Sequence, residues 1–291
     1  MFKFQKSAAE KLGKFIKIYK HDFEEYSIDD KKEIISLIKS GIGLNAQPVD
    51  DSNILIGHSK LGGKPDLPTN KEWPMSNGQH MIFCGQYDLE ECAKYDINKQ
   101  LPPDGLFSVF VTPDFKNFEF NHFTVNNLQR KEYPVNFDSE FTAKSQRISF
   151  FELPTLPTIQ IEHLKDKYDD LEYLLLDEYY YFIEDLIKGM SNNHQILGHD
   201  RQIQDSPKYT FAMQELGLRF DSDLTLLQTH ESQISAIAIE YEILLQIDYD
   251  NQHPNISFYD ALGDGTVYFG IRSEDLKKGN FENIKMEYQC T

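Results

Sequence analysis

The stretch of sequence that decides the fold is LGGKPDLP at residues 61–68, followed by Trp73-Pro74 and by FCGQYDL at residues 83–89. It holds adjacent glycines, several prolines and the only tryptophan of the chain, and it leads into a short apolar run. Glycine and proline mark turns, and a short apolar run between turns is typical of a strand. The stretch therefore predicts a sheet with tight turns.

Two short motifs recur 160 residues further along the chain. Gln86-x-Asp88 and Gln246-x-Asp248 each close an apolar run, and Asp104-Gly105 and Asp264-Gly265 each open one. An internal repeat indicates that one structural unit is used twice. We therefore predict an α+β fold, mainly antiparallel sheet, in two duplicated halves related by a pseudo-two-fold axis, with N-terminal and central helices.

The rest of the sequence supplies the domain boundaries. Residues 1–45 predict an N-terminal helical extension, because apolar residues recur at helical spacing from Leu12 to Tyr19 and Gly41 is suited to end a second helix. The α+β domain then covers residues 46–291. It consists of a first half at about 53–151 that starts with a strand at Ile54–Ile56, a helical bridge at about 162–190, and a second half at about 194–291.

Composition restricts the partners and the compartment. The chain has 29 Lys and Arg against 47 Asp and Glu, which gives a formal net charge of −18. Such a charge repels phosphate backbones and anionic membranes, so we expect neither nucleic acid nor a membrane as a partner. The three cysteines form no C-x-x-C pair, and no window is apolar enough to span a bilayer. Reduced thiols and the absence of an apolar leader predict a cytoplasmic protein.

Several motifs form an ordered series along the chain. They are S-x-LGG-x-P-x-LP at 59–68, Trp73-Pro74, Gln86-x-Asp88-Leu89, Leu101-Pro102, Gly105-Leu106, His194-Gln195, Leu197-Gly198, LLQ-x-D at 244–248, Asp264-Gly265, Tyr268-Phe269 and Asp275-Leu276. From about Ile54 to the C-terminus, this series resembles the YwqG-like family of uncharacterised, mainly bacterial proteins. The resemblance implies an α+β fold rich in antiparallel sheet, and it implies no reaction and no catalytic residues.

Motifs of known chemistry are not matched. In the glycine-rich segment 57–65, Gly63 stands where a phosphate-binding loop has its lysine, and Lys64 is followed by Pro65 in place of Ser or Thr. The nine histidines form no H-x-x-x-H or H-E-x-x-H motif, and Cys84 lies in an apolar run that predicts an inert thiol. We therefore expect no metal, no cofactor and no catalytic residue.

Six residues are candidates for a binding site: Gln86, Asp88, Gln246, Asp248, Trp73 and His58. The Gln and Asp of each pair lie two residues apart and so share one face of a strand. Their amide and carboxylate could bind a ligand, or they could satisfy backbone groups of a neighbouring turn. Trp73 could stack on a ligand or anchor its loop by packing, and His58 could be a hydrogen-bonded structural residue.

Three functions fit these observations. The first is a non-enzymatic binding protein whose small ligand lies in a groove between the two halves. The second is an acidic module for a basic protein partner, for instance a neutraliser of a basic toxin, since nine acidic residues lie within 162–187. The third is an enzyme, most plausibly a hydrolase, with its site in the same groove.

Overall fold

The computed structural model describes residues 39–124, 126–155, 194–219, 222–248 and 265–290. The predicted helices before residue 39 and at 162–190 lie outside these ranges. The strands are β1 Lys39–Pro48, β2 Lys60–Leu61, β3 Asp66–Pro68, β4 Met75–Ser76, β5 Gln79–His80, β6 Ile82–Asp88, β7 Leu106–Val111, β8 Phe118–Phe123, β9 Leu128–Arg130, β10 Gln146–Thr155, β11 Gln195–Ile196, β12 Tyr241–Ile247, β13 Gly265–Arg272 and β14 Lys285–Cys290. The α-helices are α1 Leu89–Ala93, α2 Pro207–Glu215, α3 Leu224–Ala238 and α4 Ser273–Lys278.

Ten of the strands form one antiparallel sheet in the order β14-β13-β12-β11-β1-β10-β2-β6-β7-β8. Its centre is the pair β1 and β10, which are aligned over ten residues from Lys39 opposite Thr155 to Pro48 opposite Gln146. We call β10, β2, β6, β7 and β8 the first half-sheet, and β1, β11, β12, β13 and β14 the second half-sheet. The prediction of a mainly antiparallel sheet is confirmed.

A change of register occurs in each half-sheet. The pairing of β6 with β7 shifts between Phe83 and Gly85, and the pairing of β12 with β13 shifts between Ile243 and Leu245. A bulge interrupts the alternation of side chains between the two faces of a sheet. In β12, Leu244 and Leu245 therefore both join the inner core.

The inner face of the sheet is filled by apolar side chains from both half-sheets. Leu44, Phe107 and Phe269 all belong to this core. The sheet curves so that its two ends approach each other, and the ring of Phe118 in the end strand β8 lies 5.6 Å from that of Phe269 in β13, the neighbour of the other end strand β14. The result is a large, nearly closed sheet around one apolar interior.

The outer face is covered differently on each half-sheet. On the first, Trp73 packs against Phe110 within an aromatic cluster supplied by loops. On the second, α2 places Phe211 against Tyr241 of β12. The absence of a side chain at Gly270 makes this contact possible, since a Cβ there would lie 2.1 Å from the ring of Phe211.

Two local predictions were wrong. Residues 39–45, assigned to the helical extension, form the start of β1, and Gly41 lies inside this strand instead of ending a helix. The glycines suit a crowded central strand, because a Cβ at Gly43 would lie 2.2 Å from the ring of Phe151. The predicted strand at Ile54–Ile56 is instead a turn after a 3-10 helix at Asp51–Asn53.

Other predicted elements agree with the structure. The run Leu106–Val111 is β7, and the runs at 118–120, 147–151 and 266–271 lie within β8, β10 and β13. The strand predicted at Asn255–Tyr259 lies outside the described residues. Among the helices of the described ranges, none combines the length and the apolar character needed to cross a membrane.

Candidate functional site

The side chain of Gln86 is fully buried and holds a turn in place. Its Oε1 accepts a hydrogen bond from the backbone N–H of Asp66, and its Nε2 donates to the carbonyl of His58 and to Asp66 Oδ2, all at 2.8 Å. All polar atoms of this amide therefore have protein partners. This is the turn-stabilising role that was the alternative to ligand binding.

Charged groups lie beneath the same turn. Lys60 is fully buried, and its Nζ donates to Asp51 Oδ1 at 2.9 Å, while Arg130 Nε donates to Asp66 Oδ1 at 2.9 Å. Burial lowers the pKa of Lys60, and the charges of Asp66 and Asp51 oppose this change. Burial acts to raise the pKa of Asp66, but the Arg130 hydrogen bond and the Lys60 charge outweigh it and hold that pKa low.

In the second Gln-x-Asp motif, the side chain of Gln246 makes fewer hydrogen bonds than that of Gln86 within the described residues. Gln246 Oε1 accepts from the backbone N–H of Arg201 at 3.0 Å, while its buried Nε2 has no hydrogen-bond partner in the described part of the chain. Asp248 accepts from Thr266 Oγ1 at 2.7 Å, and its own N–H donates to His194 Nδ1 at 2.9 Å. Gln246 and Asp248 thus also bind backbone and neighbouring side chains.

Trp73 is buried within the aromatic cluster on the outer face of the first half-sheet. Its Nε1 donates to the carbonyl of Met81 at 2.8 Å, and its ring lies 5.4 Å from Tyr133 and 5.2 Å from Phe137. An indole with its N–H bonded and its ring covered anchors a loop by packing.

His58 and Asp88 meet at the start of α1. Asp88 caps this helix by accepting from the N–H of Glu90 at 3.0 Å. His58 Nδ1 lies 3.1 Å from Glu91 Oε1, and Ser59 Oγ donates to Glu91 Oε2 at 2.8 Å. Burial, reinforced by the negative charge of Glu91, raises the pKa of Asp88. Two of the six predicted residues are therefore brought together, with Glu91 as an unpredicted third.

The predicted inert thiol, Cys84, lies in the interior together with a second cysteine. Cys84 and Cys92 are buried and unpaired, and burial raises the pKa of both. A thiol that stays protonated is a poor nucleophile.

A cavity of about 320 Å³ lies between the second half-sheet and the loop after α1, which connects β6 to β7 of the first half-sheet. Its walls come from the start of β1, the loop after α1, the turn after β11, and β12, and the lining residues are Lys39, Ser40, Asn98, Gln100, Leu197, Gly198 and Glu242. Lys39 Nζ donates to Glu242 Oε2 at 2.8 Å. None of the six predicted residues lines this cavity.

Charges near this cavity keep Glu242 ionised. Burial acts to raise the pKa of Glu242, but the positive charges of Lys39 and Lys208 outweigh it, and the pKa lies below its usual range. Burial lowers the pKa of Lys208, while the charge of Asp200 opposes that change. The cavity therefore offers an ammonium and a carboxylate side by side, together with two carboxamides and a hydroxyl.

A second cavity, of about 310 Å³, lies beside α1. Its lining residues are Gln47, Val49, Glu91, Lys94, Tyr95, Arg147, Ile148, Ser149 and Phe150. Glu91 therefore borders both this cavity and the group formed with His58 and Asp88.

Sequence reasoning missed Lys39, Glu242 and Glu91. Each is a common surface residue type, and none belongs to a recognisable motif, so type and spacing give no signal. The salt bridge of Lys39 and Glu242 joins residues 203 positions apart, and only the sheet order brings them together.

Comparison with known proteins gives a family. A model of the family described as domain of unknown function (DUF1963) matches residues 59–290, which is most of the chain. A search among curated proteins finds no match.

Proposed function

The chain belongs to the family of the domain of unknown function DUF1963, and because membership assigns no activity, we propose from the geometry that the protein is a non-enzymatic binding protein with its site between the half-sheets. The observation that carries the proposal is the cavity between the second half-sheet, which supplies Lys39 and Glu242, and the loop after α1, which supplies Asn98 and Gln100 and connects β6 to β7 of the first half-sheet. Ligand pockets cluster at such junctions, and about 320 Å³ is at the small end of their usual range.

The chemistry of the lining predicts the class of ligand. Lys39 offers an ammonium and Glu242 an ionised carboxylate, and their charged atoms lie 2.8 Å apart. A small zwitterion, such as a free α-amino acid, carries the complementary pair of charges. Asn98, Gln100 and Ser40 add hydrogen bonds that favour a polar ligand over an apolar one.

The same proposal includes a duplicated fold. The strand pairing supports it, because Lys60 lies opposite Gln86 in the first half-sheet as Gln195 lies opposite Gln246 in the second. The two register shifts also occupy positions 160 residues apart, as the repeated motifs do.

Backbone hydrogen bonds support the duplication independently. Gly62 donates to the carbonyl of Cys84, and Leu197 donates to that of Leu244. In each case the donor follows the short strand and the acceptor is the residue at the register shift. Leu197 even adopts the positive φ, 60°, that Gly62 has at 58°. An accidental match of this detail is improbable for two unrelated sheets.

A duplicated scaffold explains why only one half need hold a site. In the first half-sheet the carbonyls of Gly63 and Ala143 both accept from the hydroxyl of Tyr133. The corresponding turn of the second half-sheet holds Gly198, which lines the cavity. We propose that the aromatic segment around Tyr133 fills the space beside this turn in the first half-sheet. The space beside the corresponding turn of the second half-sheet is then open for the ligand.

The finer identification as a YwqG-like protein and the cytoplasmic location belong to this proposal as well. The series of motifs supports the first. Two buried, unpaired cysteines support the second, because a reducing compartment keeps such thiols free.

A binding screen with matched variants tests the function. The probes are the free α-amino acids, added singly to the full chain, with the melting temperature and titration calorimetry as readouts. The variants are Lys39→Met and Glu242→Gln. The control is Lys71→Met, because Lys71 forms a comparable ion pair with Glu119 at 2.7 Å outside the cavity.

The expected result is that at least one amino acid raises the melting temperature of the wild type. Both cavity variants should then bind it about 10-fold or more weakly, since a hydrogen bond to a charged group contributes roughly 1.5–3 kcal/mol. The control should bind as the wild type does. If no probe binds, or if Lys39→Met and Glu242→Gln bind as tightly as the wild type, the proposed site is wrong.

A further inference from the structure

We propose that His58, Asp88 and Glu91 form a binding site for a divalent first-row transition-metal ion, separate from the cavity between the half-sheets. Ligand atoms of these three side chains all lie within 4.8 Å of one another, one imidazole nitrogen and two carboxylate oxygens. Imidazole with carboxylates suits Zn²⁺ or Mn²⁺, whereas Mg²⁺ prefers oxygen ligands alone.

The spacing of the two closest ligand atoms fits a shared ion. His58 Nδ1 and Glu91 Oε1 are 3.1 Å apart. Two ligands that each lie about 2.1 Å from one ion are separated by roughly 3.0–3.4 Å at octahedral or tetrahedral angles. This pair of ligand atoms therefore needs little rearrangement to admit an ion.

Each of the three residues is held by an atom that the ion would not use. Ser59 Oγ donates to Glu91 Oε2, which leaves Oε1 towards His58. The N–H of Glu90 donates to Asp88 Oδ1, which leaves the other oxygen of that carboxylate. Gln86 Nε2 donates to the carbonyl of His58 and fixes the backbone there. Such outer contacts orient the ligands of protein metal sites.

The site is also accessible. All three side chains are partly exposed, and Glu91 lines the second cavity beside α1. Three protein ligands leave at least one coordination position for water or a small ligand, as in open metal sites. Gln86 and Ser59 are positioning residues in this arrangement.

The test uses the full chain without a histidine tag, freed of metal by a chelator, and titrated with Zn²⁺, Mn²⁺ and Mg²⁺ alone. We expect one Zn²⁺ or Mn²⁺ per chain and weaker binding of Mg²⁺. His58→Gln and Glu91→Gln should each lower the affinity at least 10-fold. Ser59→Ala should lower it about 10-fold, and Ser59→Thr should restore it, because the hydroxyl orients Glu91.

The control variant is His230→Gln, in the exposed part of α3, which should leave the affinity unchanged. A measurement on the wild type avoids any dependence on folding of the variants. Substoichiometric Mn²⁺ should broaden the amide resonances of His58 and Glu91 and leave those of His230 sharp. Absence of stoichiometric binding, equal binding by His58→Gln, or broadening centred elsewhere would each overturn the proposal.

Discussion

Replacing each of the two motif glutamines by methionine should destabilise the protein to very different extents. Methionine has nearly the shape of glutamine but no hydrogen-bonding amide. In Gln86→Met, the buried N–H of Asp66 loses its partner and so does the carbonyl of His58. Each unsatisfied group costs about 1–3 kcal/mol. We therefore expect a loss of about 3–4 kcal/mol in the free energy of unfolding.

Gln246→Met removes fewer hydrogen bonds than Gln86→Met. Its Oε1 serves only the N–H of Arg201, and its Nε2 is buried without a hydrogen-bond partner within the described ranges. Removal of an unsatisfied buried donor breaks no hydrogen bond, and it also removes the free-energy cost of keeping that donor away from water. We expect a loss of about 1 kcal/mol or less for this variant.

Thermal unfolding followed by circular dichroism separates the two outcomes. A domain of this size shifts its melting temperature by about 2–4 °C per kcal/mol, so Gln86→Met should melt roughly 6–16 °C lower and Gln246→Met no more than about 4 °C lower. Ser108→Ala is the control, because the buried Ser108 Oγ opposite Gln86 has no hydrogen-bond partner in the described residues. Equal shifts for both glutamine variants would refute this reasoning.

Three further predictions concern stability. Burial raises the pKa of Glu287 to about 7, above the value in the unfolded chain. The contribution of Glu287 to stability is therefore fully present below about pH 4.5 and is lost as the pH rises through 7. In Glu287→Gln, the urea midpoint of unfolding should change less with pH across this window. Trp73→Phe should lower the free energy of unfolding by about 1–2 kcal/mol through the lost bond to Met81, with ligand affinity unchanged in calorimetry. Gly43→Ala should cost about 1–3 kcal/mol or more, and Phe151→Ala should partly restore the melting temperature in the double variant.

The sheet could be predicted from sequence wherever its pattern is local. The apolar run from Leu106 to Val111 lies between turns, and it is β7 with the same ends. The sequence also predicts, as one of two alternatives, that Gln86 stabilises a turn, because its amide can satisfy backbone groups of a neighbouring turn.

Elements that depend on distant partners could not be predicted. β1 contains glycines, which are unfavourable in strands. The need for a glycine at position 43 becomes visible only when Phe151 of β10 is placed opposite it. Lys60 is a residue type that is rarely buried, and its burial depends on the carboxylates of Asp51, in the 3-10 helix, and Asp66, in β3. The cavity depends on the sheet order in the same way, since its walls come from four segments of the chain.

The most direct test of a ligand site between the half-sheets is amide chemical-shift mapping on the wild type, with the amino acid that binds most tightly in the screen. We expect the largest shifts at Asn98 and Gln100, in the loop after α1, and at Leu197 and Gly198, in the turn after β11. Shifts confined to one half-sheet, or centred on the Trp73 cluster, would contradict this expectation.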